Sequence, residues 1–358
     1  MKQKLTFTYW RDGDWWLGWF VGWAQKGERK VVFASLKIED WKSQEPISFA
    51  TRDALIADLA LRELSPARIA HFWMVTDAET FRPGSSFFQR NLDGSDKAKA
   101  YLDGRGVDAA IRTQFMIGYA PDGYSALKDA LGTDERRMKL LDRAGLFSKN
   151  DRGHVYDKFR DRVMFPIHDR RGRVIAFGGR VLQKDDGPKY LNSPETALFH
   201  KGRELYGLWQ VRQANQKIER LIVVEGYMDV VSLFQFGVTQ AVATLGTATT
   251  PDHAELLFRN APDVFFCFDG DAAGRRAGWK ALESVLPRMK DGRQAFFLFL
   301  PDGEDPDTIV RQEGAAGFDA RLQQATPLSQ FFFDELSREI NLGTLDGYFL
   351  YRYLPRIL

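Results

Sequence analysis

Between residues 220 and 300 the chain alternates short apolar runs with helix-like stretches, and few folds accept that pattern. LIVV at 221–224, AVAT at 241–244, DVFFCF at 263–268 and AFFLFL at 295–300 each have the length of a buried strand. The segments between them, 227–236, 251–260 and 273–288, are long enough for crossover helices. Thr250 followed by Pro251 supplies an N-cap and a first-turn proline, which sets the start of one of them. Alternation at this spacing predicts a mostly parallel sheet with right-handed crossovers.

Ligands of open α/β sheets gather at the carboxyl ends of the strands, and acidic residues fall at those ends here. LIVV runs into Glu225, DVFFCF runs into Asp269-Gly270-Asp271, and AFFLFL is followed by PDGEDPD, which holds Asp305 and Asp307. One Asp-Gly is usually only a turn. Carboxylates at three strand ends of one sheet predict an oxygen-rich rim suited to Mg²⁺ or Mn²⁺, and two or more such ions can clamp an in-line phosphoryl displacement. Asp229 follows Glu225 by about one helical turn. It is read equally as a partner of metal-bound water or as a charge favouring the helix N-terminus. Tyr227 is expected to pack rather than react.

Basic charge is concentrated elsewhere. Between Arg152 and Arg180 lie eight Lys/Arg and three Asp, although 50 basic and 48 acidic side chains leave the whole chain at only +2. Phe159, Val163, Phe165, Ile167, Val174 and Ile175 run through this stretch. They predict ordered strands that present the charges in rows able to neutralise phosphates. The five histidines have no ligand spacing, and Gly270 and Gly274 lack the Gly-Lys-Ser/Thr of a phosphate-binding loop. Cys267 is the only cysteine, which excludes an internal disulfide and a Cys-based zinc site and fits a reducing, cytoplasmic setting. It is expected to be a buried strand residue with a raised thiol pKa. No apolar run approaches the ~20 residues of a membrane span, so no membrane partner is expected.

Seven of the nine tryptophans precede residue 75. Leu5, Phe7 and Tyr9 alternate with polar residues as in a half-buried strand, a turn follows at 11–14, and further strands are expected over the Trp-rich run and 30–36. A helix is expected from Thr51 to about 64. The polar segment 76–86, with Pro83 and Gly84, reads as a linker.

VVEGYMDVVSLFQFG, CFDGDAAGRRA and FLPDGEDPDTIVR together resemble the Toprim domain, and more narrowly that of bacterial replicative DNA primases of the DnaG type. RVMFPIHDRRGRVIAFGGRVL, PKYLNSPET and FHKGRELYG resemble the same family's RNA-polymerase domain, so the likeness covers about 85–345. The resemblance implies an α/β fold, α+β overall. A Toprim parallel sheet (219–301) would be preceded by a basic mixed subdomain (87–218) and followed by an acidic loop and helical segment (302–346). The β-rich unit 1–75 and the tail 347–358 match nothing in the family. By resemblance Glu225, Asp269 and Asp271 bind metal, with Asp305 and Asp307 as a second acidic pair. Arg105, Lys158, Arg160, Arg162, Arg180, Lys189, Asn192 and Lys201 map onto nucleic-acid and nucleotide contacts. Lys158 stands where the family has arginine, which keeps the charge but loses the bidentate fork.

The implied activity is synthesis of short RNA primers on single-stranded DNA from ribonucleoside triphosphates. The implied partners are the replicative helicase and single-strand binding protein, although the helicase-binding domain has no counterpart here. The family's Cys/His zinc ribbon has none either, so no zinc is expected. A Toprim nuclease would use the same acids on water, but it does not require the RVMFPI and PKYLNS half. A third reading makes 1–75 a fused partner or inhibitor of the core.

Overall fold

The computed structural model describes residues 2–12, 15–26, 29–40, 81–183 and 188–339. The chain divides into two compact units, Met1–Thr76 with Asp134–Lys139, and Asp77–Thr133 with Leu140–Leu358. In the first, β1 (Lys2–Asp12), β2 (Trp15–Lys26) and β3 (Arg29–Asp40) form an antiparallel meander. Lys2 lies opposite Gln25 and Asp12 opposite Trp15, while Trp15 lies opposite Asp40 and Lys26 opposite Arg29. The helix expected at 51–64, His71 and the tail 347–358 lie outside the described residues.

The first described residues of the second unit, 81–93, are helical, α1, where a linker was expected to run on to 86. Pro83 and Gly84 suggested a break, yet Phe81, Phe87 and Phe88 are buried. Phe81 and Phe88 flank Phe177 with ring centroids 5.9 and 5.2 Å away. Burying aromatic rings at about 2–3 kcal/mol each outweighs the local breaking preference. Next come α2 (Asp96–Gly104), capped by the Ser95 hydroxyl on the Ala98 N–H, and the short helices α3 (Ala109–Gln114) and α4 (Ala126–Leu131); of α5 (Glu135–Arg143), residues up to Lys139 are grouped with the first unit and the rest with the second.

The basic half is organised by an antiparallel sheet of β4 (Gly118–Ala120), β7 (Arg162–His168), β8 (Val174–Val181) and β9 (Tyr190–Asn192), in that order. A hairpin of β5 (Phe147–Lys149) and β6 (Val155–Asp157) stands beside it in sequence. Every residue of β7 and β8 is buried, so both faces of these strands are covered.

The helix α6 (Leu208–Ala214) leads into the second half. There β10 (Arg220–Val224), β11 (Ala241–Ala243), β12 (Asp263–Phe268) and β13 (Gln294–Phe299) are parallel, in the order β11-β10-β12-β13. The short β14 (Thr326–Pro327) adds an antiparallel edge. The crossovers are α7 (Tyr227–Gln235), α8 (Pro251–Phe258) and α9 (Ala272–Val285); α10 (Pro306–Leu322) and α11 (Leu328–Glu339) follow β13 and β14. The α/β reading of this region holds. Thr250 caps α8 as expected, and the reciprocal group is the buried His253 imidazole, whose Nδ1 accepts the Thr250 N–H.

Aromatic stacking joins the two halves. Tyr227 lies flat on Phe165 at 5.3 Å, meets Tyr206 edge-on at 4.7 Å, and donates its hydroxyl proton to Asn192 Oδ1 at 2.8 Å. It is buried and packs, as expected from sequence. Cys267 is also buried, within β12, and desolvation drives its thiol pKa well up. It acts there as a small hydrophobe.

Candidate functional site

Three strand ends supply the acidic rim. Glu225 is the first residue beyond β10 and is exposed; Asp269 is the first beyond β12 and is half-buried. Asp271 is exposed at the N-cap of α9, where Oδ1 accepts the Gly274 N–H at 2.7 Å. Asp305 caps α10 in the same way, accepting the Thr308 N–H at 2.7 Å while the Thr308 hydroxyl accepts the Asp305 N–H at 2.9 Å. The glycines around Asp271 serve close packing. A Cβ on Gly270 would lie 2.0 Å from the Leu300 carbonyl oxygen, and one on Gly274 would lie 2.1 Å from that of Asp269. The DGDxxG spacing therefore locks the Asp269 backbone against α9 rather than cradling a phosphate.

The charges interact. Burial raises the Asp269 pKa, and the neighbouring Asp305 and Asp271 raise it further, opposed by Lys189. Burial also raises Glu225, reinforced by Asp269 and Asp271. Asp229 is pushed up to about 8 by burial first, then by Asp305 and Asp307. Its Oδ2 accepts the Gly226 N–H at 2.9 Å, so of its two readings the helix-capping one has a visible partner. Among the described residues no three acidic, His or Cys side chains close around a single ion position. The donor set nonetheless fits a hard divalent cation: it is all oxygen, and like charges hold Glu225 and Asp269 in unfavourable mutual repulsion that a cation relieves.

Asp307 does not join this rim. It is buried, with its side chain 3% exposed, and both carboxylate oxygens are engaged. Oδ1 accepts the Ser232 hydroxyl at 2.5 Å and Arg311 Nε at 2.6 Å, and Oδ2 faces Arg105 Nη1 at 3.3 Å. Arg311 also donates to the Arg105 carbonyl. This cluster ties the end of α2 to α7 and α10, and it makes Arg105 part of a joint between the halves.

The expected basic residues separate into two groups. Arg162 and Arg180 are buried. Arg162 Nη1 donates to the Gly179 and Pro188 carbonyls at 3.2 and 2.9 Å, and Arg180 Nη1 donates to the Tyr190 hydroxyl at 3.1 Å. Both side chains are buried with partners inside the fold, where the sequence suggested exposed rows, because both faces of β7 and β8 are covered. Asn192 is likewise committed, with Nδ2 on the Leu245 carbonyl at 2.9 Å and Oδ1 on Tyr227. Lys158, Arg160, Lys189 and Lys201 keep exposure. Burial and the nearby Lys201 ammonium lower the Lys158 pKa, so this pair gains from an anion between them. Lys189 acts on Asp269 from close enough to oppose its shift.

Sequence reasoning missed the aromatic setting of Arg160. Its guanidinium lies 4.6 Å from the Tyr124 ring centroid and 5.1 Å from that of Tyr156, with Nη1 on the Asp157 carbonyl at 2.7 Å. Tyr124 is 69% exposed. A cation stacked on exposed tyrosines suits a strand that offers both phosphates and bases. The signal was two tyrosines 32 residues apart, brought together where the Asp157 N–H at the end of β6 donates to the Tyr124 carbonyl at 2.8 Å.

A parallel sheet with Glu at the end of its first strand and Asp-x-Asp at the end of its third defines a Toprim domain, here attached to a basic antiparallel half. Residues 87–212 match the family of the DNA primase catalytic core, N-terminal domain, and residues 222–310 match the Toprim-like family. The chain is 55% identical over 266 residues to the DNA primase of Escherichia coli K12, covering 74% of this chain and 45% of that protein. It thus spans less than half the length of that relative. The solved structure of the DnaG primase catalytic domain bound to ssDNA is 51% identical with a TM-score of 0.75, over 78% of this chain and 91% of that one. A DNA primase domain from Pseudomonas aeruginosa is 52% identical with a TM-score of 0.72, over 76% and 86%. The chain belongs to the family of DnaG-type DNA primases.

Proposed function

We propose that this chain carries the RNA-polymerase core of a primase, making short RNA primers on single-stranded DNA by metal-dependent nucleotidyl transfer. The observation that carries the reading is the rim of Glu225, Asp269, Asp271 and Asp305 at the strand ends of the parallel sheet, in a chain whose preceding half matches the primase catalytic core. Carboxylates that can hold divalent ions, with Lys189 close enough to act electrostatically on Asp269, are what transfer of a nucleotide requires.

Glu225, Asp269, Asp271 and Asp305 would hold divalent ions, Mg²⁺ or Mn²⁺. These would polarise the reacting phosphate and help a primer 3′-hydroxyl attack it. The caps that Asp271 and Asp305 make hold one oxygen of each carboxylate in place and leave the other to face a ligand. Lys189 orients nucleotide phosphates beside the rim, Lys158 and Lys201 neutralise further phosphates, and Arg160 with Tyr124 and Tyr156 receives the template. Arg105, Arg162 and Arg180 set the shape of this surface from within. Single-stranded DNA, RNA primer and ribonucleoside triphosphates are the proposed ligands, and the replicative helicase and single-strand binding protein the proposed partners, in the cytoplasm at the nucleoid. No helix among the described residues is long and apolar enough to cross a membrane.

The direct test is incubation with single-stranded circular DNA, four ribonucleoside triphosphates and Mg²⁺ or Mn²⁺. Template-dependent short RNA that disappears with EDTA is the expected product. Strand scission without incorporation would overturn the polymerase in favour of a Toprim nuclease.

Binding of DNA gives a second prediction. Arg160→Ala should reduce the salt dependence of single-stranded DNA affinity, changing the log–log slope by about 0.7 for one lost phosphate contact. Arg162→Ala should leave that slope alone and lower the melting temperature, because it removes two side-chain hydrogen bonds that a buried guanidinium makes to the Gly179 and Pro188 carbonyls. A slope that fell with Arg162→Ala and not with Arg160→Ala would reverse the assignment.

A further inference from the structure

Arg160 and Arg162 are two residues apart, a spacing that puts side chains on one face of a strand. They nevertheless reach different surroundings. Arg160 keeps exposure beside Tyr124 and Tyr156, whereas Arg162 is buried against the Gly179 and Pro188 carbonyls. Between them Asp161 has φ +45°, in the left-handed region that residues with a side chain rarely adopt, and β7 starts only at the next residue. Among the described residues Met116 is the other non-glycine with positive φ, and it follows the end of α3, where a helix commonly finishes that way. Asp161 ends no helix. Distant partners hold its conformation instead. Its Oδ1 accepts the Tyr119 hydroxyl at 2.6 Å, its Oδ2 pairs with the Lys97 ammonium, and its N–H donates to the Pro121 carbonyl at 3.3 Å. The carboxylate is only 13% exposed.

Backbone strain persists where the surroundings over-determine it, and it gathers at functional sites. Here the surroundings are α2, through Lys97, and β4, through Tyr119. At the other end of the segment the Asp157 N–H donates to the Tyr124 carbonyl at 2.8 Å. Residues 157–161 are thus stitched to residues 119–124 at both ends, and Arg160 meets the Tyr124 ring between the stitches. We propose that Asp161 is a positioning residue for template binding: its left-handed backbone, tethered to Tyr119 and Lys97, turns the chain so that Arg160 stands on the exposed tyrosine while Arg162 enters the sheet. An extended residue at 161 would direct both guanidinium groups to one face, and one of them would lose its partners. A carboxylate beside a phosphate-binding cation weakens anion binding by charge alone, so a positioning role and a purely electrostatic one differ in sign. The inference rests on the reading of Arg160, Tyr124 and Tyr156 as a single-strand contact, and it names the group that sets their geometry.

The test is the affinity of the full chain for a labelled single-stranded oligonucleotide at fixed salt, read by fluorescence anisotropy. Asp161→Ala disfavours the left-handed backbone and removes the tether, and affinity should fall about tenfold, the size of losing one stacked base. Asparagine enters the left-handed region more readily than most residues and offers Tyr119 an acceptor, so Asp161→Asn should stay within about twofold of the unsubstituted chain. Asp161→Gly accepts the same φ and is the variant that folds if alanine does not; without the tether it should bind about threefold more weakly. In an Arg160→Ala background Asp161→Ala should bring no further loss, because groups that act through one another are not additive. Unchanged or tighter binding by Asp161→Ala and Asp161→Gly, as loss of a negative charge alone would give, would overturn the inference. So would an equal loss with and without Arg160. Arg160→Ala by itself tests the template contact. If it binds as well as the unsubstituted chain, that contact falls and Asp161 has nothing to position; if only the Asp161 variants are silent, the contact stands and the positioning role falls.

Discussion

Asp269→Ala should yield a soluble, cooperatively folding protein that incorporates ribonucleotides about a thousandfold more slowly, a loss of ~4 kcal/mol in transition-state stabilisation. The side chain sits where the acidic rim converges: Asp305 and Asp271 both raise its pKa. No direct hydrogen bond to its carboxylate is seen among the described residues, so removal leaves no buried donor stranded. A carboxylate whose folded pKa is raised is costly to ionise in the folded state at neutral pH. Alanine should therefore leave the melting temperature unchanged or slightly higher in the absence of divalent ions. Asp271→Ala is a less clean probe, because its Oδ1 also caps α9, and losing that cap costs about 1 kcal/mol. The measurements are labelled nucleotide incorporation and thermal melting, each with and without Mg²⁺. Retained incorporation would remove Asp269 from the ion site, and a broad, non-cooperative melt would make its role structural.

The parallel sheet was legible in the sequence because each of its strands is a continuous apolar run followed by a helix-length segment. That pattern needs no knowledge of partners. The ion-binding candidates Glu225, Asp269 and Asp271 were legible for the same reason, since a strand's end also marks the rim. The pattern gave less guidance in the basic half. RVMFPIH reads as an alternating strand with charges on one face, yet Arg162 is buried beneath the Pro188 carbonyl. Nothing in the strand itself announces that its second face is covered. Residues 81–86 failed differently: Pro83 and Gly84 are local signals, whereas Phe81 owes its place to Phe177 almost a hundred positions away. Long-range pairing is what a single sequence hides, and the carboxylate most affected by it is Asp307.

Asp307→Ala should lower stability far more than any change at the rim. Its sequence context, two residues after Asp305 in PDGEDPD, suggested a second ion-binding acid. In the fold its partners are Ser232 on α7, Arg311 one turn on, and Arg105 beyond α2, two of them 75 and 202 residues distant. Removing the carboxylate leaves two guanidinium groups facing each other around a buried hydroxyl with no countercharge. Breaking a buried pair by deleting one partner costs about 3–5 kcal/mol. In a unit of this size that corresponds to a melting temperature lower by about 10 °C. Asp307→Asn keeps the acceptor oxygen for Ser232 but not the charge for the arginines, and should fall between the two. With Asp307 acting only as an anchor for Arg105, Arg311 and Ser232, activity should decline with the folded fraction and recover on cooling. A titration of Mg²⁺ into Asp307→Asn at low temperature makes the distinction. An anchoring role leaves the metal requirement of incorporation where it was, whereas an Asp307 that binds an ion would shift that requirement while the melting temperature stayed put.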